Sequence, residues 1–290
     1  MPRNLPTKDA MNKSGKFTKP FAWLAALLSI LAPGHAQVTR PAVTPMVVGH
    51  RGLEHHAPEN TVTNFKASLQ LNVGIEVDVR RSKDGVWVCL HDESLDRTTN
   101  GRGRVADHLF ADLRQLDAGS HFAPYYTGER IAAFEELLVL LKEYNDRSIM
   151  VAVDLKVTDA TAEKELVDMA RRHGVLHQLV FIGLTIIDPS VRAKLRAADQ
   201  GTQISVLAQT PADVPAALAD PHANWAYLRF VPSPEVVKTI RDAGRKVFVV
   251  GNMVVGLETD NWRRAQAAGV DGIMTEFPLE CRRALHLRKP

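Results

Sequence analysis

Eight times between residues 46 and 275 a short run of β-branched and other apolar residues gives way to a longer stretch with apolar residues three or four apart. No other feature limits the fold as much. The short runs are "MVVGH" (46–50), "IEVDV" (75–79), "IMVAVDLK" (149–156), "LVFIG" (179–183), "ISVLA" (204–208), "AYLRF" (226–230), "KVFVVG" (246–251) and "DGIMT" (271–275). The stretches between them, such as "TVTNFKASLQL" and "PEVVKTIRDAG", carry the helical period, and most end near a glycine, the residue that most easily takes the left-handed backbone of a helix C-terminus. Strand-then-helix units repeated eight times with no break in composition predict one α/β domain, a closed TIM (β/α)8 barrel. An open doubly wound sheet is the alternative, disfavoured because the first strand is not followed by a Gly-rich phosphate loop.

One interval breaks the alternation. Between the second strand and the helix "AAFEELLVLLKEY" lie about fifty residues, roughly 80–131, far more than a βα loop needs. The interval holds "GVWVCLHDESLDRTT", which alternates like a strand after the turn "KDG", then "NGRGRV" and the aromatic "HFAPYYTGER". An insertion of this length predicts a functional or separately folded piece on the barrel.

The first 36 residues stand apart from the fold. "FAWLAALLSILA", Phe21 to Ala32, follows Lys13, Lys16 and Lys19, and Gly34 and Ala36 supply small residues for cleavage after Ala36. The expected organisation is therefore a signal peptide, 1–36, followed by the barrel, 37–290, in an exported protein, periplasmic or secreted. Retention of the apolar run as an anchor is the alternative, disfavoured by its shortness, and no stable membrane insertion is expected after cleavage. Residues 1–36 contain five basic residues and one acid, so their removal turns a formal charge of +3 into about −1. The mature chain thus lacks the dense basic face that nucleic-acid binding needs. Two cysteines, Cys89 and Cys281, make no disulfide framework.

In a β/α barrel the active site lies at the carboxyl ends of the strands, and side chains along a strand alternate between its faces. His50 and Arg51 fall where the first strand ends. Glu76 and Asp78 are two apart on the second and share a face, while Ile75, Val77 and Val79 take the other. Two buried carboxylates on one face repel, and a divalent cation would relieve them. Hard oxygen ligands favour Ca2+ or Mg2+, with Mn2+ as a further candidate. Ion pairs to Arg80 and Arg81 are the plainer explanation of the same acids. The third strand adds Asp154, a candidate third ligand, and Lys156, a candidate hold on an anionic substrate oxygen; Arg51 can grip a phosphate with its planar fork. His91 ends the strand inside the insertion, and two histidines over one mouth suit paired acid and base work. His55 and His56 are read as loop residues, since their spacing fits no zinc motif.

Together, "GHRG", "PENT", "EVDV", "LHDESLDRTTNGRG" and "GVDGIMTEFP" resemble the glycerophosphodiester phosphodiesterase family, over about residues 46–290 and most densely from 47 to 103. The resemblance implies a TIM barrel with an insertion after the second strand, His50 and His91 as the acid/base pair, Glu76 and Asp78 on the metal, and Arg51 on the phosphate. It also implies supporting places for Glu59 and Asn60, with Glu59 behind the residues that touch substrate. The expected reaction is metal-dependent hydrolysis of a small phosphodiester to glycerol phosphate and an alcohol. Three positions depart from the family pattern: Asp154 and Glu276 replace a Glu and an Asp, and "VFVVGNM" replaces an aromatic-Thr-Val-Asn stretch.

Two other readings compete. A sphingomyelinase D-type lyase acting on intact lipid would use Phe122, Tyr125 and Tyr126 as a lipid-facing rim, although packing of the insertion accounts for the same aromatics. An exported phosphate-ester binding protein without turnover would keep the pocket but has no use for two histidines. The oligomeric state is not legible in the sequence.

Overall fold

A computed structural model describes residues 44–251 and 256–287. The expected signal peptide and residues 252–255 of the "VFVVGNM" region lie outside the described residues. Among the described residues there are nine strands: β1 (Met46–Gly49), β2 (Gly74–Arg81), β3 (Trp87–Cys89), β4 (Val151–Leu155), β5 (Leu179–Ile182), β6 (Gln203–Ala208), β7 (Trp225–Leu228), β8 (Lys246–Val249) and β9 (Gly272–Thr275). The order is β1-β9-β8-β7-β6-β5-β4-β2-β3, and a parallel β1–β2 pairing closes the ring. Eight parallel strands thus make the expected barrel, with β3 antiparallel on the end of β2 through Val79 to Cys89 and Arg81 to Trp87.

Helices α1 (Val62–Gln70), α3 (Phe134–Tyr144), α4 (Ala162–His173), α5 (Pro189–Ala198), α6 (Val214–Ala219), α7 (Pro234–Asp242), α8 (Thr259–Ala268) and α9 (Pro278–Ala284) follow the barrel strands in turn; a one-turn α2 (Phe110–Leu113) belongs to the insertion. Their boundaries follow local chemistry. Thr61, Asp188 and Ser233 cap the N-termini of α1, α5 and α7 by accepting a backbone N–H each. The α4 and α8 ends run into left-handed Gly174 and Gly269.

The period of two along each strand separates two cores. Val48, Ala152, Val180, Tyr227, Phe248 and Met274 fill the barrel lumen. Ile75, Val77, Val79, Val151, Val153 and Leu155 point outward against α1, α3 and α4, as the spacing of "IEVDV" required. Each fully buried side chain of this kind contributes roughly 1.5–3 kcal/mol. The second layer also encloses Cys89, and Cys281 is buried at the far side; both are free thiols.

The insertion has a small core of its own, built on Val88, Leu90, Leu95, Val105, Leu113 and Ile131. Its two ends are tied together by the Cys89 N–H bonded to the Ala132 carbonyl at 2.8 Å, and Leu90 N–H reaches the Asp78 carbonyl at 3.0 Å. The aromatics of "HFAPYYTGER" pack on one another, with Tyr126 edge-on to Phe122 and tilted against Tyr125, and the Tyr126 hydroxyl donates to the His56 carbonyl at 2.9 Å. Tyr126 thereby fastens the insertion to the loop after β1, while Tyr125 is exposed.

Candidate active site

The strand "MVVGH" ends one residue earlier than its pattern, at Gly49, so His50 and Arg51 form the turn above β1. Arg51 takes a left-handed backbone, φ 51°, and its N–H donates to Glu76 Oε2 at 2.8 Å. That bond gives a reason for the unusual conformation. Gly52 follows at φ 80°, where a Cβ would overlap the Asn64 side chain. His50 Nδ1 lies 2.9 Å from Glu54 Oε1 and 3.9 Å from Glu276 Oε1. Burial alone would lower the His50 pKa, but the Glu54 hydrogen bond and the charges of Glu76 and Glu54 outweigh it and push it up to about 9.

Glu76, Asp78 and Asp154 meet at the lumen end of β2 and β4. Asp78 and Asp154 are register partners on these adjacent strands, and one oxygen of each of the three acids falls within 4.8 Å of the others. Glu76 and Asp78 are almost wholly buried. Burial, and then the Asp78 charge, push Glu76 up to about 8. Asp78 goes the other way: burial opposes ionisation, but Lys156, His91 and the Asn60 amide, donating at 2.9 Å, hold its carboxyl below the usual range. Burial raises Asp154, whose Oδ2 accepts from Lys156 at 2.6 Å. The backbone makes room for this carboxylate only through Gly183, φ 101°, where a Cβ would strike Asp154.

Arg80 and Arg81 do not neutralise these acids. Arg80 donates to the His91 carbonyl, and Arg81 pairs with Asp159 and Glu165. Lys156 is the nearest cation, 3.0 Å from Asp78 Oδ1, yet Asp78 Oδ1 and Asp154 Oδ1 are buried without a hydrogen-bond partner. Orphaned carboxylate oxygens facing one another fit a hard divalent cation, as an all-oxygen ligand set would. The Lys156 ammonium, expected on a substrate oxygen, is engaged first by the two aspartates.

His91 comes from the insertion, just beyond β3, with Nδ1 2.7 Å from Asp92 Oδ1. Arg97 grips Asp92, with Nε to Oδ2 at 2.7 Å, and Glu59, with NH1 to Oε2 at 2.7 Å. Glu59 accepts in turn from Arg51 NH1 at 3.0 Å. Burial would raise Glu59, but the Arg97 hydrogen bond and the charges of Arg51 and Arg97 hold it below the ordinary range.

A cleft of about 250 Å³ opens over this group, walled by His50, Glu76, Asp78, His91, Asp154 and Lys156 on one side and by Tyr227 and Arg229 opposite. Arg51 stands one layer back, its Nε 3.7 Å from Asp78 Oδ2. Among the described residues the aromatics of the insertion do not line the cleft. A depression of about 540 Å³ at the other end of the barrel, beside Met46, Trp225 and Lys246, lacks a facing set of acids and histidines and has no comparable chemistry.

The structure also places residues that the sequence did not single out. Glu54, Asp92 and Arg97 orient the histidines, and Arg229 lies just past the end of β7 rather than within a strand. Their signal was present only as adjacency, "HRGLE" and "LHDESLDR", without a period to mark it. His55, read as a loop residue, stacks on Phe277 at 4.6 Å with Nε2 3.9 Å from Glu276 Oε2.

A parallel eight-stranded barrel with clustered carboxylates and His50 at the carboxyl ends of its strands, and with His91 brought to the same cleft by the insertion, has the layout of a TIM-barrel active site. Residues 50–280 match the model of the glycerophosphoryl diester phosphodiesterase family, and the chain belongs to that family of phosphoric diester hydrolases. It is 31% identical over 239 residues to a glycerophosphodiester phosphodiesterase of Caldanaerobacter subterraneus subsp. tengcongensis, covering 80% of this chain and 94% of that one. The solved glycerophosphodiester phosphodiesterase of Agrobacterium tumefaciens is 26% identical with a TM-score of 0.69, over 82% of this chain and 99% of its own. An Oleispira antarctica phosphodiesterase, solved with the product sn-glycerol-3-phosphate, has a TM-score of 0.71 at 23% identity, over 83% and 97% of the two chains, a likeness of fold.

Proposed function

We propose that this protein hydrolyses glycerophosphodiesters to glycerol phosphate and an alcohol, with a divalent cation held by Glu76, Asp78 and Asp154 and with His50 and His91 as the acid/base pair. The observation that carries the reading is the convergence of three carboxylates, two of them with an orphaned buried oxygen, at a cleft walled by both histidines. When bound there, Ca2+, Mg2+ or Mn2+ supplies positive charge against the phosphate oxygens as they become more negative. Lys156, hydrogen-bonded to Asp154 and 3.0 Å from Asp78, is a cation at the cleft wall for a phosphate oxygen. Among the described residues, the second terminal nitrogen of Arg51 makes no hydrogen bond and is the donor for a phosphate oxygen, with Glu59 holding the first in place. One histidine takes the proton of the attacking hydroxyl, from water or from the substrate's own glycerol, and the other gives a proton to the alcohol oxygen as its bond to phosphorus breaks; if the glycerol attacks, water must then open the cyclic phosphate to give glycerol phosphate.

The site works outside the cell in this reading, exported by residues 1–36 and cleaved after Ala36, which the apolar segment behind three lysines supports. N-terminal sequencing of the secreted or periplasmic protein tests that part. The chemistry is tested by assaying a panel of glycerophosphodiesters with each of the three metals and with chelator, following products by phosphorus NMR. Glycerol phosphate formed only with metal is the expected result. Absence of hydrolysis with every metal overturns the proposal.

A further inference from the structure

We infer that Arg97 is a positioning residue that ties His91 of the insertion to Arg51 of the barrel, so that the two are oriented as one unit. The inference rests on the roles proposed above for those two residues. Four side chains of alternating charge, Arg51, Glu59, Arg97 and Asp92, lead to the His91 ring. The spacings are 3.0 Å from Arg51 NH1 to Glu59 Oε1, 2.8 and 2.7 Å from Glu59 to Arg97 NH2 and NH1, 2.7 and 3.1 Å from Arg97 Nε and NH2 to Asp92, and 2.7 Å from Asp92 Oδ1 to His91 Nδ1. Each carboxylate is held by two edges of one planar fork, a geometry that lysine cannot reproduce.

Three consequences follow from that placement. Arg97 holds Asp92 well below the usual carboxylate range, so Asp92 is an acceptor only and the His91 nitrogen facing it must carry the hydrogen. The other ring nitrogen, Nε2, is left to the cleft, which His91 walls together with Asp78 and Asp154. At the other end, Glu59 stays ionised and fixes one arm of Arg51. Without Arg97, Glu59 and Asp92 would face one another as bare like charges, and both would turn their partners. Arg97 is nearly half exposed, 46%, so solvent screens its contribution to stability; its effect belongs to orientation.

The test compares Arg97→Gln and Arg97→Lys with wild type and with His91→Ala, using the metal-loaded full chain. Arg97→Gln is expected to lower kcat by roughly tenfold or more and to raise KM, as loss of an orienting partner does. Arg97→Lys should melt with wild-type Tm yet recover little of kcat. Nitrogen NMR of the histidine rings should find His91 as the single Nδ1–H tautomer in wild type and as a mixture in both variants. A double variant with Asp92→Asn should be no slower than the worse single one. Wild-type kcat and KM in Arg97→Gln, or an unchanged His91 tautomer, overturns the inference. Should His91→Ala itself turn over normally, it is the proposed role of His91 that fails, a separate outcome.

Discussion

Asp78 and Asp154 stand side by side on parallel strands, register partners whose carboxylates share one ammonium, with Lys156 Nζ 3.0 Å from Asp78 Oδ1 and 2.6 Å from Asp154 Oδ2; the second oxygen of Asp154 is buried without a hydrogen-bond partner, while that of Asp78 accepts from Asn60. Neither acid would be placed so by packing alone, since one lysine cannot satisfy two buried aspartates and Glu76 beside them.

Removing metal should therefore cost both activity and stability. Chelator is expected to abolish turnover, and a divalent ion at a hundred times its Kd should add about 2.7 kcal/mol to unfolding free energy. In Asp78→Asn that gain should vanish. Calorimetry of wild type and variant with and without metal checks it; an equal melting shift in both places the ion elsewhere.

His50→Ala and His91→Ala should each lower kcat by roughly a hundredfold or more while leaving the fold intact. Steady-state kinetics alongside circular dichroism measures this. Near-normal turnover in either variant removes that histidine from proton transfer.

His50 should titrate near 9 in the metal-free protein. Its folded pKa is raised above the unfolded value of about 6.5, so the stability it contributes is fully present below about 6.5 and is lost as pH rises through about 9. Glu54→Gln removes the hydrogen-bonded carboxylate and should move the titration downward and flatten that loss. Proton NMR of the imidazole, followed from pH 6 to 10, reads the shift; an unmoved titration in Glu54→Gln would falsify the assignment.

Gly183→Ala should impair the site from the neighbouring strand, since Gly183 follows β5, which pairs with the Asp154 strand. A Cβ there would press on the Asp154 carboxylate, and φ 101° strains any other residue. A loss of about 1 kcal/mol or more is expected, together with weaker metal binding. Unchanged metal affinity by titration calorimetry would mean that Asp154 has no part in the cation site.

What the sequence made legible was what repeats. The eight strands follow from β-branched runs, and the inward aim of Glu76 and Asp78 follows from their lying two positions apart, with Val77 between them facing the other way. Ends and partners were harder. "AYLRF" reads as a strand through Phe230, but the ladder stops at Leu228 and Arg229 turns into the mouth. Arg97 meets Glu59 from 38 residues away, and His55 meets Phe277 across nearly the whole chain, contacts set by closure of the barrel and not by local spacing. Arg80 and Arg81 looked like natural partners for the acids, yet β2 sends them to the His91 carbonyl and to α4.

The clasp between Cys89 and Ala132 closes most of the insertion at its base, with an apolar core of its own above it. Such a piece is a cassette. Its outer turns can lengthen or change while the strand that delivers His91 remains stapled to the barrel and the carboxylates below remain untouched.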